Sequence, residues 1–323
     1  MKVDLLVTTY KRLEDLLVLL NNLENQHYNN FTLQIFDGTP DKTIEEAVDY
    51  YRKRVDRLMG YEIIYRNTGP GMTRQRNIAI DYSTGEISIF LDDDVELEPD
   101  YLEKVVQIFK DDKEFKVAGL NGFDLFNLKK NQNKLGRRKK FYRRLGVYPA
   151  VGPARCWPWG HSTAHFNTLK IGFEEVDVLI GHNMAFRTAI LKSFRFAEFF
   201  EKYPTYVLYD DQDICLRMKK AGYLLLLAYE ARLIHKVAPS GRPAADHYGY
   251  QAFYNAYRNW KLHGSQKLIH KLKFWFWEFL DILFQIPSKN TRAMSIGRLK
   301  IFISTLFRMN RLKVQRDFSI VLK

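Results

Sequence analysis

Three consecutive carboxylates, Asp92, Asp93 and Asp94, are the residues whose types and spacing most directly indicate chemistry. They follow the apolar run 87–91, which has the length and the β-branched and aromatic content of a buried strand. Adjacent like charges repel, so a solvated turn gains nothing from three of them. A divalent cation binds such a group together with phosphate oxygens. The triplet predicts a cation and phosphate site; the alternative is an acidic turn that caps the following helix.

A second group of carboxylates begins the segment DDQDICLRMKKA (210–221). The segment is predicted to be a helix that ends at Gly222, a residue suited to a C-terminal cap. Acidic side chains stabilise a helix N-terminus, and we expect Asp213 to have that role. Capping is the alternative interpretation for all three carboxylates, but Asp210, Asp211 and Asp213 together exceed what capping needs.

The elements that must position these residues alternate along the first ninety residues. Strands are predicted at 3–7, 31–36, 61–65 and 87–91, and helices at 13–23, 43–59 and 72–82. This order implies a mostly parallel sheet with helices on both faces. Ligands bind outside the carboxyl ends of the strands in such sheets. Thr8, Asp37 and the aspartate triplet all lie at predicted strand ends.

The second half of the chain is less regular. An aromatic stretch, CWPWGHSTAHF (156–166), precedes a predicted strand at 223–229 that leads to 233–235. From about residue 250 the chain becomes helical: a Tyr-rich segment (250–263), an apolar stretch (274–286) and a basic amphipathic segment (298–316). The apolar stretch is shorter than the ~20 residues that span a bilayer. We therefore expect a main domain at 1–250, with halves at about 1–125 and 126–250, and a helical extension at 251–323.

The net charge of +13 is concentrated in two places. Residues 129–144 carry nine Lys or Arg and no acid, and residues 267–323 carry twelve basic and three acidic residues, +9 in each case. The rest of the chain is then at about −5, which does not suit a uniformly basic nucleic-acid binder. Localised basic segments instead indicate anionic lipid, phosphorylated substrate or RNA. The C-terminal pattern favours an interfacial helix, and a core-packing helix pair is the alternative.

Cysteine usage and the N-terminus give the expected compartment. Cys156 and Cys215 lie far apart and have no CxxC partner, so we expect neither a zinc site nor a disulfide framework. A reducing compartment fits best. The first residues, MKVDLLVTTYKR, lack the apolar core and cleavage site of a signal peptide and indicate a first strand.

Five motifs, in order, resemble the GT-A fold nucleotide-sugar glycosyltransferases, specifically the inverting family 2. They are VTTYKR (7–12), QHYNNFTLQIFDGTPDKT (26–43), RQRNIAIDYSTGEISIFLDDDV (74–95), GHNMAFR (181–187) and DDQDICLRMKKAGY (210–223). The resemblance covers about residues 3–260. It implies a Rossmann-like, mostly parallel mixed sheet flanked by helices, with the helical amphipathic extension appended.

The resemblance also implies roles for individual residues. Donor binding would fall to Thr8, Tyr10, Arg12, Asp37, Arg76, Asp92 and Asp93, with Asp37 accepting from a ring N–H of the base and the two arginines meeting the diphosphate. Arg76 can equally pair with an aspartate. The metal, Mn²⁺ or Mg²⁺, would be held by Asp94 and His235. The general base would be Asp211, beside Asp210 where the family has Glu. The acceptor side would include Trp157, Trp159, His161, Asn183 and Asp210; packing beneath a loop is the alternative for the first three, and a structural role is equally open for Asn183.

The implied activity is metal-dependent, inverting transfer of a hexosyl or deoxyhexosyl group from a nucleotide sugar. A UDP donor is favoured and GDP or dTDP is possible. The implied acceptor is a glycan or lipid-linked hydroxyl, in surface polysaccharide biosynthesis, at the inner face of the cell membrane. The alternatives are a sugar-phosphate nucleotidyltransferase, whose Gly-rich loop the segment VTTYKRLEDL lacks, and a non-catalytic GT-A-like binding protein. No nucleic-acid partner is expected.

Overall fold

A mixed β-sheet with helices on both faces positions the site residues. The protein is seen in a computed structural model that describes residues 1–55, 61–126, 137–146, 154–163, 169–201, 207–236 and 244–307. The strands are β1 (Val3–Thr9), β2 (Phe31–Asp37), β3 (Glu62–Asn67), β4 (Ile87–Asp92), β5 (Val95–Leu97), β6 (Val117–Asp124), β7 (Arg155–Cys156), β8 (Ser162–Thr163), β9 (Phe173–Val176), β10 (Asn183–Arg187) and β11 (Leu224–His235). The helices are α1 (Leu13–Leu23), α2 (Thr43–Val55), α3 (Met72–Tyr82), α4 (Tyr101–Asp111), α5 (Arg137–Arg144), α6 (Thr188–Phe194), α7 (Asp210–Lys220), α8 (Ala245–His263), α9 (Leu268–Gln285) and α10 (Arg292–Phe307).

The main sheet has the strand order β3-β2-β1-β4-β10-β6-β11-β5, and β9 pairs with β11. The first four strands are parallel, whereas β10 runs antiparallel between β4 and β6. The register aligns strand ends: Thr8 lies opposite Asp92, and Thr9 lies opposite Asp37. The predicted mostly parallel mixed sheet is confirmed. Its register places the carboxyl ends of β1, β2 and β4 at one edge of the sheet.

Both faces of the sheet are buried, which explains the nearly continuous apolar strands. Along β1, Leu5 belongs to the core beneath α1, α2 and α4, whereas Leu6 belongs to the core beneath α3, α6 and α7. Successive side chains point to opposite faces of a strand, so an apolar run without alternation is what a doubly covered strand requires.

The C-terminal helices α8, α9 and α10 form a third apolar core of their own. Trp159, from the loop between β7 and β8, packs into this core beside Trp260 and Phe274. The helical part begins at Ala245, a few residues before the expected boundary at 251. Among the helices of the described residues, none is long and apolar enough to cross a membrane.

Some predicted bounds differ from the observed ones. The strand predicted to stop at residue 229 continues as β11 to His235, with an irregular register between Ala228 and Arg232. The exposed Glu230 interrupts the apolar pattern there, which is why the sequence suggested two pieces. Helix α2 ends at Val55, and residues 56–60 of its predicted range lie outside the described residues. The same is true of residues 129–136 in the basic run, of 164–166 in the aromatic stretch and of 308–323 at the C-terminal end.

Candidate active site

At the carboxyl edge of the sheet, Asp92 ends β4, and Asp93 and Asp94 form the turn to β5. Asp93 is buried and accepts hydrogen bonds from Thr9 Oγ1 at 2.7 Å and from Arg12 at 2.6 Å. A second guanidinium nitrogen of Arg12 donates to Asp94 at 3.1 Å. Burial raises the pKa of Asp93 to about 7, although Arg12 and Thr9 act in the opposite direction. Arg12 thus partly compensates the charges of Asp93 and Asp94.

Arg12 was predicted to meet a diphosphate, and in the structure its guanidinium is held by Asp93 and Asp94. The diphosphate role therefore stays a prediction. Thr9, whose hydroxyl contacts Asp93, was missed from the sequence. Thr8 and Thr9 are neighbours in β1 and face opposite sides of the sheet, and only Thr8 was given a role from the sequence.

A candidate cation site lies between this turn and the end of β11. The ligand atoms of Asp92, Asp94 and His235 lie within 4.8 Å of one another, and His235 Nε2 is 3.1 Å from Asp94 Oδ1. Burial raises the pKa of Asp92, against the opposing charge of Arg76. Burial alone would lower the pKa of His235, but the hydrogen bond to Asp94 and the charges of Asp92 and Asp94 outweigh it and raise the pKa. The acids around His235 favour a positive charge at this position, and the oxygen and nitrogen donors of the three side chains fit a divalent cation.

Two further residues join this site that the sequence did not single out. His182 stacks on His235 with ring centroids 4.4 Å apart, and the ligand atoms of Asp124, His182 and His235 also lie within 4.8 Å of one another. Burial, then the charge of His235, lowers the pKa of His182 to about 3, so this imidazole is neutral. Asp124 is the last residue of the buried strand β6, and a carboxylate at a strand end is the sequence feature that could have indicated it as a site residue.

Arg76 joins the triplet to the second carboxylate group. This buried guanidinium lies 2.6 Å from Asp210 and 3.8 Å from Asp92, and it donates to the carbonyl of Gly181 at 3.4 Å. The sequence left open whether Arg76 meets a diphosphate or an aspartate. In the structure it pairs with Asp210, a contact across 134 residues of sequence.

Asp211 is half-buried at the start of α7. Its carboxylate accepts from the backbone N–H groups of Gln212 at 2.8 Å and Gly181 at 3.2 Å. Burial, and then the charge of Asp210, raises the pKa of Asp211 to about 7, although Arg76 acts in the opposite direction. A carboxylate with a pKa near neutrality is suited to accept a proton during a reaction.

Asp213 faces away from this group and connects two helices. It pairs with Arg217 at 2.8 Å within α7 and with His263 of α8 at 2.7 Å. Burial alone would raise the pKa of Asp213, but its hydrogen bond with His263 and the charge of Arg217 outweigh it and lower the pKa. Asp213 lies in the first turn of α7, and its expected role at the helix N-terminus stays a prediction, since the contacts of its side chain are the pairs with Arg217 and His263.

The predicted base-binding residues lie at the ends of β1 and β2. Asp37 is fully buried and accepts from the backbone N–H of Thr39 at 2.7 Å and from the hydroxyl of Tyr65 at 2.8 Å. Thr8 and Tyr10 are half-buried, and they flank Thr9, which lies opposite Asp37 in the sheet. A carboxylate offers about four lone-pair sites, so these contacts leave capacity for a further donor.

The predicted acceptor residues are dispersed. Trp159 and His161 are buried against the C-terminal helices, where His161 Nε2 lies 2.9 Å from Glu278 Oε1. Trp157 is half-buried with its ring centroid 5.4 Å from that of Trp159, and it lines a cavity of about 240 Å³. Asn183 is buried, and its side-chain oxygen accepts from the backbone N–H of Gly122 at 2.7 Å. Only Asp210 of this set lies beside the proposed base.

Comparison with known proteins agrees with the geometry. The family described as glycosyl transferase family 2 matches residues 4–195. No significant match is found among curated protein sequences. Among solved structures, the chain is similar to the mannosyltransferase PcManGT from Pyrobaculum calidifontis in complex with GDP-Man and Mn²⁺. That pair is 14% identical with a TM-score of 0.54, over 94% of this chain and 75% of that one.

It is also similar to residues 1–349 of TarS from S. aureus in complex with UDP-GlcNAc. That pair is 16% identical with a TM-score of 0.54, over 94% of this chain and 81% of the other. At such identities the structural likeness concerns the fold alone. The family match, which spans more than half of the chain, carries the identification: the protein belongs to glycosyl transferase family 2 and is a glycosyltransferase of GT-A fold.

Proposed function

We propose that the protein transfers a sugar, with inversion and with the help of a divalent cation, from a nucleoside diphosphate to a hydroxyl of a glycan or lipid-linked acceptor. The observation that best supports this is the position of Arg76 between Asp92 and Asp210. The guanidinium of Arg76 thereby connects Asp92, a proposed cation ligand, to Asp210 at the start of α7. Inversion needs one in-line displacement, in which the acceptor hydroxyl attacks as the diphosphate leaves. This arrangement brings the proposed base and the proposed cation site close together.

Asp92, Asp94 and His235 are the residues that would hold the cation, Mn²⁺ or Mg²⁺. Mg²⁺ prefers oxygen ligands alone, so the imidazole nitrogen favours Mn²⁺. When bound, the ion supplies Lewis-acid stabilisation of the charge on the departing diphosphate. Arg12 and Asp93 brace the turn that carries two of these ligands, and the hydroxyl of Thr9 fixes Asp93.

Asp211 would take the proton of the acceptor hydroxyl as the new bond forms. A hydroxyl is a poor nucleophile at neutral pH, so the base must be ionised and oriented. The two backbone N–H groups that bind Asp211 orient it, and the pKa of about 7 lets it accept and release a proton near neutrality. Asp210 raises that pKa and holds Arg76.

The donor would lie along the carboxyl edge of β1, β2 and β4. Thr8 and Tyr10 would contact the base or ribose, and Asp37 would accept a ring N–H, which suits uracil, guanine or thymine. UDP is the favoured nucleotide, with GDP and dTDP as alternatives. Asp92 and Asp93 would also contact the nucleotide, and we place the reaction in surface polysaccharide biosynthesis at the inner face of the membrane, where Trp157 and its neighbours would face the acceptor.

The proposal is tested by turnover with UDP-, GDP- and dTDP-sugars in the presence of Mn²⁺, with release of the nucleoside diphosphate as the readout. We expect one nucleotide series to be used, loss of turnover with a chelator, and an anomeric configuration in the product opposite to that of the donor by proton NMR. Retention of configuration, or turnover that the chelator does not affect, would contradict the proposal.

A further inference from the structure

Helix α9 is apolar on its exposed side and buries charged residues as well as apolar ones, whereas an ordinary surface helix is polar toward solvent. Its two carboxylates point inward: Glu278 is 1% exposed and Asp281 is 8% exposed. Both pair with Arg298 of α10, at 2.6 Å for Glu278. Burial alone would raise the pKa of Glu278, but Arg298 and His161 outweigh it and lower the pKa, so this carboxylate is charged.

The outward side of α9 is apolar. Its exposed residues are Leu268, Ile269, Leu272, Phe276, Phe279, Leu283 and Phe284, each more than 40% exposed. At 100° per residue the first six positions fall within about 100° of arc, one continuous stripe, and Phe284 lies about 60° beyond it. Within α9, all of which the structure describes, no charged residue shares that arc. Contiguous apolar surface of this kind on a soluble protein marks an interaction site.

A strongly basic helix packs beside the stripe. Helix α5, RRKKFYRR, carries six Lys or Arg and no acid. Its Phe141 lies 5.7 Å from Phe284 of α9, and its Tyr142 lies 5.1 Å from Trp277, between ring centroids. These contacts leave Lys140, Arg143 and Arg144 exposed.

The combination of charge and apolar area favours one occupant. Apolar residues that enter the acyl boundary, with Lys and Arg beside them for phosphate headgroups, are the requirements of an interfacial helix. A second copy of this chain would bring two cationic α5 helices toward each other. Charge complementarity therefore selects an anionic lipid bilayer over self-association.

We propose that the exposed stripe of α9 and the basic side of α5, together called the docking surface, bind an anionic bilayer. The stripe enters the headgroup–acyl boundary, and α5 contacts lipid phosphates. The proposal rests on the proposed function in that it names the surface on which a lipid-linked acceptor is met, but its test is independent of catalysis.

The docking surface is connected to the proposed base by a short series of contacts. On the inner side of α9, Glu278 holds His161. The next residue, Ser162, accepts a hydrogen bond from Gln212 at 2.8 Å, and Gln212 follows Asp211 in α7. A bilayer bound to α9 therefore lies on the opposite side of that helix from the loop that leads to the active site.

The test is sedimentation of the full chain with vesicles of phosphatidylcholine alone or mixed with phosphatidylglycerol. We expect the protein to bind the mixed vesicles and this binding to weaken as salt is added. Binding to vesicles of phosphatidylcholine alone should be weaker. The double variant Leu272→Ser/Phe276→Ser should bind at least about tenfold more weakly, because two half-exposed apolar side chains are lost. Arg143→Gln/Arg144→Gln should lose about fivefold per charge on mixed vesicles only. Ile171→Ser, which alters a 90% exposed residue outside α9, should bind as the wild type does.

Three results would overturn the proposal. They are no binding of the wild type to mixed vesicles, unchanged binding by the Leu272→Ser/Phe276→Ser variant, and a wild-type dimer that does not bind vesicles and that this variant abolishes. Nucleotide binding in the presence of Mn²⁺ serves as the second readout for every variant. If it persists while vesicle binding is absent in the wild type, the docking surface is wrong and the proposed function stands. If the wild type binds vesicles but no nucleotide, the docking surface stands and the proposed function is wrong.

Discussion

The ionisation of Asp211 gives the sharpest prediction, because its pKa of about 7 places the proposed base at its midpoint in neutral solution. A general base acts only when ionised. At pH 6 about a tenth of the molecules then carry the ionised form, and at pH 8 about nine tenths do. We expect turnover to rise about tenfold between these pH values and to level off above them. Asp211→Asn should lose about 10²–10⁴-fold at pH 8, the contribution typical of general-base catalysis.

Two neighbouring variants test the cause of the shift. Asp210→Asn removes the like charge that raises the pKa of Asp211 and frees Arg76 to act on it, so the midpoint of the profile should move below pH 7. Asp213→Asn changes a third carboxylate of the same helix, one that pairs with Arg217 and His263, and should leave the midpoint unchanged. The assay is release of the nucleoside diphosphate at saturating Mn²⁺ across pH 5.5–8.5. A flat profile from about pH 6 to 8, or an Asp211→Asn variant that keeps more than about a tenth of the activity, would refute the assignment.

The same shift has a consequence for stability. A carboxyl whose pKa rises from 3.8 to about 7 on folding favours the folded state through its bound proton. That contribution is fully present below about pH 4 and is lost as the pH rises through about 7. Because Asn does not ionise, the melting temperature of Asp211→Asn should gain on the wild type from pH 5 to pH 8. A difference that does not change with pH would show that Asp211 is not buried as described.

Three further changes test other contacts. Arg76→Met leaves Asp210 with its charge buried and unpaired and should cost about 3–5 kcal/mol of unfolding free energy in urea; a loss below about 1 kcal/mol would contradict the buried pair. Arg298→Met should cost about the same, because Glu278 and Asp281 lose the buried guanidinium that they share, and a helical signal that melts as in the wild type would contradict that. His235→Gln should raise the dissociation constant of Mn²⁺ more than about tenfold by calorimetry, and an unchanged value would remove His235 from the site.

The fold and the carboxyl edge of the sheet were predictable because they rest on local patterns. The periodicity of the apolar residues predicted the order of the first strands and helices. Because parallel strands end at the same edge of a sheet, the sequence also predicted that Thr8, Asp37 and Asp92 lie at one edge, as the register shows. The acidic triplet was visible in the sequence as three adjacent like charges, and its role as a cation site stays a prediction. These inferences require only neighbouring residues and the general geometry of a parallel sheet.

What the sequence did not reveal depends on contacts between distant residues. The pairing of Arg76 with Asp210 spans 134 positions, and the stacking of His182 on His235 requires the central antiparallel strand β10. The polarity of α9 was hidden for the same reason. Glu278 and Asp281 lie inward because both pair with Arg298 of α10.

The central claim is that the triplet is a donor and metal site, and nucleotide binding tests it most directly. We would measure the melting temperature with UDP, GDP and dTDP, with and without Mn²⁺, for the wild type, Asp94→Asn and the exposed control Asp49→Asn. A ligand at about 100 times its dissociation constant stabilises the folded state by about 2.7 kcal/mol, which is about 4 °C for a chain of this length. The account predicts this shift for one nucleotide, only with Mn²⁺, in the wild type and the control but not in Asp94→Asn. A shift that needs no metal, or that survives in Asp94→Asn, would contradict it.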